Sequence, residues 1–129
     1  FDAAYNGKVP VIHLSTKDAE GYKYLCNCLL AFQVSAANEL AGALTALGVS
    51  YSKIQPLLAF DPRIGTHTQV PGNDGQLGYG GKCFPKDMGA LTYATMTAGY
   101  DAPLLMAVID RNNEIRDIHD WFDIPGATS

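Results

Sequence analysis

A long segment without proline, residues 16–47, limits most strongly what this chain can fold into. Its apolar residues recur at steps of three and four, which is the period of one face of an α-helix. Ser15 or Thr16 can cap the start of such a helix, and Gly48 suits the position just beyond its end. The pattern predicts a single helix much longer than the average of about 11–12 residues.

The remaining sequence predicts shorter elements around this helix. A short helix is expected near residues 52–58, another over 85–98, and a last one that begins near Pro103 behind a capping Asp101. Residues 8–15 have the β-branched composition of a short strand. The predicted fold class is therefore mostly α, with a long central helix packed by three shorter helices and one short N-terminal strand.

The composition excludes several classes of protein. Apolar residues make up 47% of the 129 residues, which is enough for a core, whereas charged residues make up 17%, below the usual quarter or so. The net charge of −4 provides no broad basic surface for nucleic acid or an anionic membrane. No apolar run approaches about 18 residues, so we expect no transmembrane helix.

The three cysteines are expected to be reduced, as in a cytoplasmic protein, because an odd number without a regular spacing does not suit a disulfide framework. Cys26 and Cys28 lie two apart on the predicted helix and so point in different directions. We interpret both as core residues, and we expect no metal site.

The strongest chemical signal is the run G-Y-G-G-K-C-F-P-K-D at residues 78–87, which ends a long glycine-rich loop. Cys83 precedes a predicted helix, whose free N–H groups and dipole favour a thiolate. Lys82 and Lys86 add positive charge, and Asp87 follows Cys83 by four residues. The spacing predicts a nucleophilic thiol with a nearby carboxylate.

Two further readings of these residues remain open from the pattern alone. Cys83 could be an ordinary buried cysteine, or it could form a thiol–imidazole pair with His67 as in a hydrolase. Lys23 and Asn27 are four residues apart and share a helix face, where they could hold a substrate oxygen or a catalytic water, but each could also be a surface residue.

Taken together, several segments resemble one family. Residues 20–27 are similar to its A-E-x-x-K-x-x-x-N helix, and residues 38–40 to its N-E-(I/L) element. Residues 61–65 match its D-x-R-I-G loop, and Pro71-Gly72 followed by 78–87 matches its cysteine run. The order also agrees, so the chain resembles the central helical domain of the UDP-glucose/GDP-mannose dehydrogenase family, and UDP-glucose 6-dehydrogenases most of all.

The resemblance implies a fold like the C-terminal domain of 6-phosphogluconate dehydrogenase. It also implies an NAD-dependent oxidation of the C6 alcohol of UDP-glucose to UDP-glucuronate, through a thiohemiacetal and a thioester on Cys83. Lys23 would stabilise oxyanions, Asn27 would hold a substrate oxygen or water, and Asp87 would orient or activate water.

The resemblance also implies which residues bind the substrate. Arg63 would reach the sugar from a neighbouring subunit, and the glycine loop would contact the hexose through Tyr79, Gly80 and Gly81. Lys86 would bind the substrate and could also touch NAD. The insert at residues 73–77 is longer than in many family members.

The sequence has no G-x-G-x-x-G fingerprint, so NAD would be bound mainly by a domain outside it, supplied in cis or in trans. Residues 1–15 are expected to be the tail of that Rossmann domain, 16–120 the central dimerisation and substrate domain, and 121–129 a C-terminal tail. A homodimer would form through the long helix. By itself the chain is expected to be an inactive fragment, and the alternative is a stand-alone helical dimerisation or binding module without catalysis.

Overall fold

The computed structural model describes residues 10–122, and helix α1 dominates it. This helix spans Thr16–Ala46, 31 residues, within one residue of the predicted bounds. Ser15 caps it, because the Ser15 side chain accepts a hydrogen bond of 3.0 Å from the backbone N–H of Asp18. Gly48 follows the end with a φ of 79°, the left-handed conformation that glycine adopts most easily. The predicted long helix is confirmed.

Shorter helices surround α1, and their bounds partly correct the predicted ones. Helix α2 spans Tyr51–Ile54 and continues as a 3-10 helix, Gln55–Phe60. Helix α3 spans Cys83–Thr97, and helix α4 spans Pro103–Ile115. A last 3-10 turn, Asp120–Phe122, ends the described chain.

One helix start and one helix cap differ from the prediction. Helix α3 begins at Cys83 rather than Pro85, since a proline within the first turn forfeits no intrahelical hydrogen bond. The residue that precedes α4 is Ala102, without a side-chain cap, so the prediction that Asp101 caps this helix was wrong.

The core lies where α3 and α4 pack against the middle of α1. Its buried apolar residues come from all three helices and from the glycine loop: Cys28, Ala31, Tyr79, Met88 and Val108. Phe32, Val34, Phe84, Leu91, Leu105 and Ile109 pack around them. The architecture is thus mostly α, as predicted.

The predicted N-terminal strand is absent from the part of it that the structure describes. Residues 10–15 are irregular, and residues 8 and 9 lie outside the described range. Val11 and Ile12 are 79% and 75% exposed. A lone β-type segment has no neighbouring strand to complete its hydrogen bonds, so composition alone does not make it a strand.

None of the helices within residues 10–122 combines the length and the apolar character that a membrane-spanning helix requires.

Candidate functional site

The site is built around a contact between α1 and α3. The side-chain amide of Asn27 donates a hydrogen bond of 2.5 Å to Oδ2 of Asp87. Asp87 is only 2% exposed, so this bond is shielded from bulk water. The contact joins the K-x-x-x-N segment of α1 to the C-x-x-x-D segment of α3, which lie 60 residues apart in sequence.

Lys23 and Cys83 each lie one helical turn from a member of that bonded pair. Both are exposed, and Cys83 is a free thiol at the first position of α3. Lys82, which precedes it, makes no side-chain cap. The N–H groups of the first turn are therefore left without a side-chain acceptor, and a helix N-terminus in that state favours negative charge.

Cys28 is a buried thiol close to the Asp87 carboxylate, whereas Cys83 is exposed. Burial, together with the negative charge of Asp87, raises the pKa of the Cys28 thiol to about 11. Burial, and secondarily Cys28, also raises the pKa of Tyr79 above its usual range. Cys28 is thus held as a neutral core thiol.

The glycine loop is fixed from α4 by a buried amide. The Asn112 side chain, 1% exposed, accepts a 2.8 Å hydrogen bond from the backbone N–H of Tyr79 and donates a 2.9 Å bond to its carbonyl. Gly78 has a φ of 69°, and a Cβ there would overlap the Asn112 side chain. The Tyr79 ring lies in the core, edge-on to Phe84 at a centroid distance of 6.3 Å. Whether Tyr79 contacts a substrate stays a prediction.

Arg116, four residues after Asn112, contacts another part of the same loop. Its side chain is 2% exposed and lies 2.7 Å from a carboxylate oxygen of Asp74. A Cβ at Gly80 would overlap the same guanidinium. Gly81 donates its backbone N–H to Asp120, with both carboxylate oxygens at 3.2 Å. These contacts leave no space for a side chain at position 80, which explains why a glycine occupies it.

The sequence reasoning did not single out Asn112, Arg116 or Asp120. A signal was available for Asn112, which stands among apolar residues on the inner face of α4 although it is polar. Arg116 follows Asn112 by four residues, so both side chains lie on the same side of the chain near the C-terminal end of α4. Lys86, in the first turn of α3, is half-buried, and its predicted contacts with substrate or NAD are untested.

The D-P-R-I-G loop is held by its own residues and by α1. The Arg63 guanidinium donates hydrogen bonds of 2.9 Å and 2.7 Å to the two carboxylate oxygens of Asp61, and these bonds hold the pKa of Asp61 below its usual value. The Arg63 side chain is 86% exposed. Gln33 of α1 accepts a 3.0 Å hydrogen bond from the backbone N–H of His67, and a Cβ at Gly65 would lie 2.5 Å from the Gln33 amide.

A cavity of about 560 Å³ lies between residues 66–69 and the glycine loop, a volume in the range of small-molecule sites. Its lining includes Tyr79 and Gly80 but none of the four predicted catalytic residues. It is lined by Val34, Thr66, His67, Gln69, Gly72, Asn73, Asp74, Gly78, Tyr79, Gly80 and Phe84. Within residues 10–122, no group of three or more His, Cys, Asp or Glu side chains is placed to hold a metal ion.

Comparison with known proteins decides the family. Residues 17–114 match the model of the UDP-glucose/GDP-mannose dehydrogenase family, central domain. The chain belongs to this family. It is 38% identical over 108 residues to a UDP-glucose 6-dehydrogenase of Pseudomonas aeruginosa, covering 84% of this chain and 23% of that protein. A UDP-glucose 6-dehydrogenase of Haloferax volcanii is 37% identical over 107 residues, 83% of this chain and 24% of the relative.

A GDP-mannose 6-dehydrogenase of Pseudomonas syringae is also similar, at 32% identity over 117 residues, covering 89% of this chain and 25% of that protein. The chain thus spans about a quarter of the length of the relatives it matches. As a central domain of the family, it carries the α1–α3 contact and both glycine-containing loops on one helical frame.

Proposed function

We propose that this chain is the central, thiol-bearing and dimerising part of an NAD-dependent UDP-sugar 6-dehydrogenase that oxidises the C6 alcohol of UDP-glucose to UDP-glucuronate. The observation that carries the proposal is the hydrogen bond between Asn27 and Asp87. It places side chains from two separate motifs in contact beside an exposed cysteine at a helix N-terminus. A purely structural helical module would not need this combination.

The chemistry would run through Cys83. Loss of a hydride from C6 and of the hydroxyl proton would first convert the alcohol to the aldehyde. The Cys83 thiolate would then add to the aldehyde carbon and form a C–S bond, and protonation of the resulting alkoxide would give a thiohemiacetal. Loss of a hydride from that carbon would give a thioester, and water would then cleave the C–S bond to release the carboxylate and the thiolate. NAD would accept the two hydrides of the overall four-electron oxidation.

The neighbouring side chains would divide the remaining work. The Lys23 ammonium would stabilise the oxyanions that form at C6, because a fixed positive charge is most effective where negative charge develops. Asn27 would hold the substrate oxygen or water, and Asp87 would orient or activate that water. The hydrogen bond between them supports these roles, because it fixes the direction of both groups before a substrate arrives.

The described residues do not fit NAD itself. Residues 10–122 contain no strand, and the dinucleotide crevice of a Rossmann domain lies at the carboxyl ends of parallel strands. We therefore propose that NAD binds to another domain, in cis or in trans, and that the isolated chain does not turn over UDP-glucose.

We also propose that the chain forms a homodimer through α1. Leu25, Leu29 and Leu40 of this helix share one face and are 56%, 56% and 58% exposed, and contiguous exposed apolar surface marks interaction sites. An apolar groove of about 600 Å³ runs between the C-terminal half of α1 and residues 51–68. In the dimer, Arg63 would contact the sugar in the neighbouring subunit.

We also propose a cytoplasmic location for the chain, because its three free cysteines suit the reducing cytoplasm.

The test is a chimera in which this chain replaces the matching segment of the Pseudomonas aeruginosa UDP-glucose 6-dehydrogenase. We expect NADH formation from UDP-glucose, and a loss of at least about a thousandfold when Cys83 is changed to serine. A serine hydroxyl, protonated at neutral pH, is a far poorer nucleophile than a thiolate, and its alkoxide is a poorer leaving group. The matched control is Cys26→Ser, which should retain activity.

Three results would count against the proposal. A folded chimera that oxidises neither UDP-glucose nor GDP-mannose would favour the binding-module alternative. Oxidation of GDP-mannose but not of UDP-glucose would show that the proposed substrate is wrong. We propose UDP-glucose because the chain is more similar in sequence to the UDP-glucose enzymes. Full activity of the Cys83→Ser chimera would exclude the thiol mechanism.

A further inference from the structure

Arg116 occupies a central position among the segments that surround the glycine loop. Its Nε donates a 2.8 Å hydrogen bond to the carbonyl of Ile118, and Nη1 donates a 3.2 Å bond to the carbonyl of Leu77. Its Nη2 donates to the carboxylate of Asp74 at 2.7 Å and approaches that of Asp120 at 3.5 Å. One guanidinium therefore contacts residues 73–77, the link that follows α4 and the last 3-10 turn.

Residues 73–77 form a compact turn that contacts Arg116 through Asp74 and Leu77. The carbonyl of Gln76 accepts a 3.0 Å hydrogen bond from the N–H of Gly72, and Asp74 accepts one of 3.0 Å from the N–H of Gln76. The other carboxylate oxygen of Asp74 faces Arg116. The hydrogen bond from Arg116 is the main reason why the pKa of Asp74 lies below its usual value.

The Nη2 of Arg116 that bonds to Asp74 also approaches Asp120, and this second contact connects Arg116 to the segment before Cys83. Asp120, which lies beside the guanidinium, accepts the backbone N–H of Gly81. Gly81 has a φ of 80° and lies two residues before Cys83, the first residue of α3. The direction in which the chain enters α3 is thus set by a peptide group that is bonded to a partner of Arg116.

We propose that Arg116 is a positioning residue that couples the turn at residues 73–77 to the entry of α3, and so fixes the backbone on which Cys83 is presented. It acts through Asp120 and the glycine loop and does not touch the substrate. The inference rests on the proposed function only in taking Cys83 as the reacting group.

The chemistry of the contact explains why an arginine stands there. A buried cation must have its donors satisfied, and here two backbone carbonyls and two carboxylates supply the acceptors. The planar fork of a guanidinium reaches all four in fixed directions, whereas the ammonium of a lysine would act as a point charge. Such a contact selects one loop conformation, which a lysine of equal charge would not do.

The experiment uses the 129-residue chain and measures two quantities. One is the rate at which iodoacetamide alkylates Cys83 across pH 5–9, followed by mass spectrometry of the peptide that contains it. The other is the hydrogen-exchange rate of the Gly81 amide. The variants are Arg116→Gln, Arg116→Lys and Asp74→Asn. The matched control is Arg111→Gln, which removes an exposed, ion-paired arginine from the last turns of α4.

We expect Arg116→Gln to change the rate at which Cys83 is alkylated at pH 7 by at least about threefold, to move the pH profile, and to speed exchange at Gly81 by at least about tenfold. Arg116→Lys should behave like the glutamine variant, because the position of the thiol depends on the fork and not on the charge. Asp74→Asn should give a smaller change in the same direction, and Arg111→Gln should match the wild type.

Several results would overturn the proposal. An unchanged Cys83 profile in folded Arg116→Gln would do so, and a wild-type profile in Arg116→Lys would assign the effect to charge alone. If the Arg116 variants do not fold, an unchanged profile in Asp74→Asn decides against it. An inactive wild-type chimera together with a shifted Cys83 profile would refute the dehydrogenase function and leave the role of Arg116 standing.

Discussion

The side-chain amide of Asn27 on α1 donates a 2.5 Å hydrogen bond to the buried carboxylate of Asp87 on α3. The bond ties together the two helices that form most of the core, and it also joins two motifs of the proposed catalytic site. A hydrogen bond to a charged group contributes more than a neutral one, about 1.5–3 kcal/mol when buried. The same contact therefore contributes to the stability of the fold and to the proposed catalytic site.

Replacing Asp87 by alanine should lower the free energy of unfolding by about 2–3 kcal/mol, because Asn27 loses its acceptor and a buried side chain is removed. Asp87→Asn should lower it less, since an amide oxygen can still accept the bond. Urea unfolding of both variants measures the difference. The exposed Asp110→Asn is the control, and an alanine variant as stable as the wild type would contradict the expectation.

The buried thiol of Cys28 should make the protein less stable at alkaline pH. Its pKa is raised from 9.0 to about 11 by burial and by Asp87, so the unfolded chain ionises before the folded one. The corresponding stability, roughly 2 kcal/mol, is present below pH 9 and is lost as the pH rises through 11. Tyr79, whose pKa is also raised, adds to the loss.

The measurement is urea unfolding at pH 8 and at pH 11. We expect Cys28→Ala to lose about 2 kcal/mol less than the wild type between these two values. Cys26→Ala retains Cys28 and should lose as much as the wild type. Equal losses in the two variants would mean that Cys28 is not held as a neutral thiol.

A methyl group at position 80 should be costly, because the Cβ of Gly80→Ala would overlap the guanidinium of Arg116 and lie 2.5 Å from Asp120. We expect a loss of about 1–3 kcal/mol in the free energy of unfolding. Gly42→Ala, in open space within α1, should instead gain up to about 1 kcal/mol. Thermal unfolding checks both, and equal effects of the two substitutions would be inconsistent with the close contact at Gly80.

If α1 forms the dimer interface, a charge on its exposed apolar side should separate the subunits. We expect Leu29→Glu and Leu40→Glu to be monomers by light scattering at tens of micromolar, where the wild type should be a dimer. Tyr93→Glu changes a 75% exposed side chain on α3 and should remain dimeric. A monomeric wild type at that concentration would rule out this interface.

Arg63 should contribute to the site and not to folding. Its side chain is 86% exposed, so Arg63→Ala should leave the unfolding midpoint unchanged. The pKa of Asp61 should rise toward its ordinary value, because its main hydrogen-bond donor is gone. An NMR titration of Asp61 tests this, and an unchanged titration would mean that the ion pair does not persist in solution.

The sequence predicted the helices well because their signals are local. Ser15 and Gly48 mark the ends of α1 through capping and backbone conformation, so its bounds were predicted within one residue. The start of α3 was placed two residues late, since Pro85 is equally compatible with the first or the third position of a helix. The strand prediction failed because strand formation depends on a partner strand, which composition does not reveal.

The site was only partly predictable, for a reason of distance along the chain. Motif spacing identified Cys83 and Asp87, but the direct bond from Asp87 to Asn27 crosses 60 residues. The contacts of Arg116 with Leu77 and Asp74 cross 39 and 42 residues. Such pairings arise only when α1, α3 and α4 pack, so no periodicity in the sequence marks them.

Helix α1 has a consequence for protein engineering. With 31 residues it is about 46 Å long, and it holds the D-P-R-I-G loop through Gln33 and bonds Asp87 through Asn27. The loop near Gly65 and the glycine loop both contact helices or helix ends of this same chain. The segment 61–82 can therefore be exchanged as a unit, and the corresponding segment of another family member should keep its shape here if Gln33, Asn112 and Arg116 are retained.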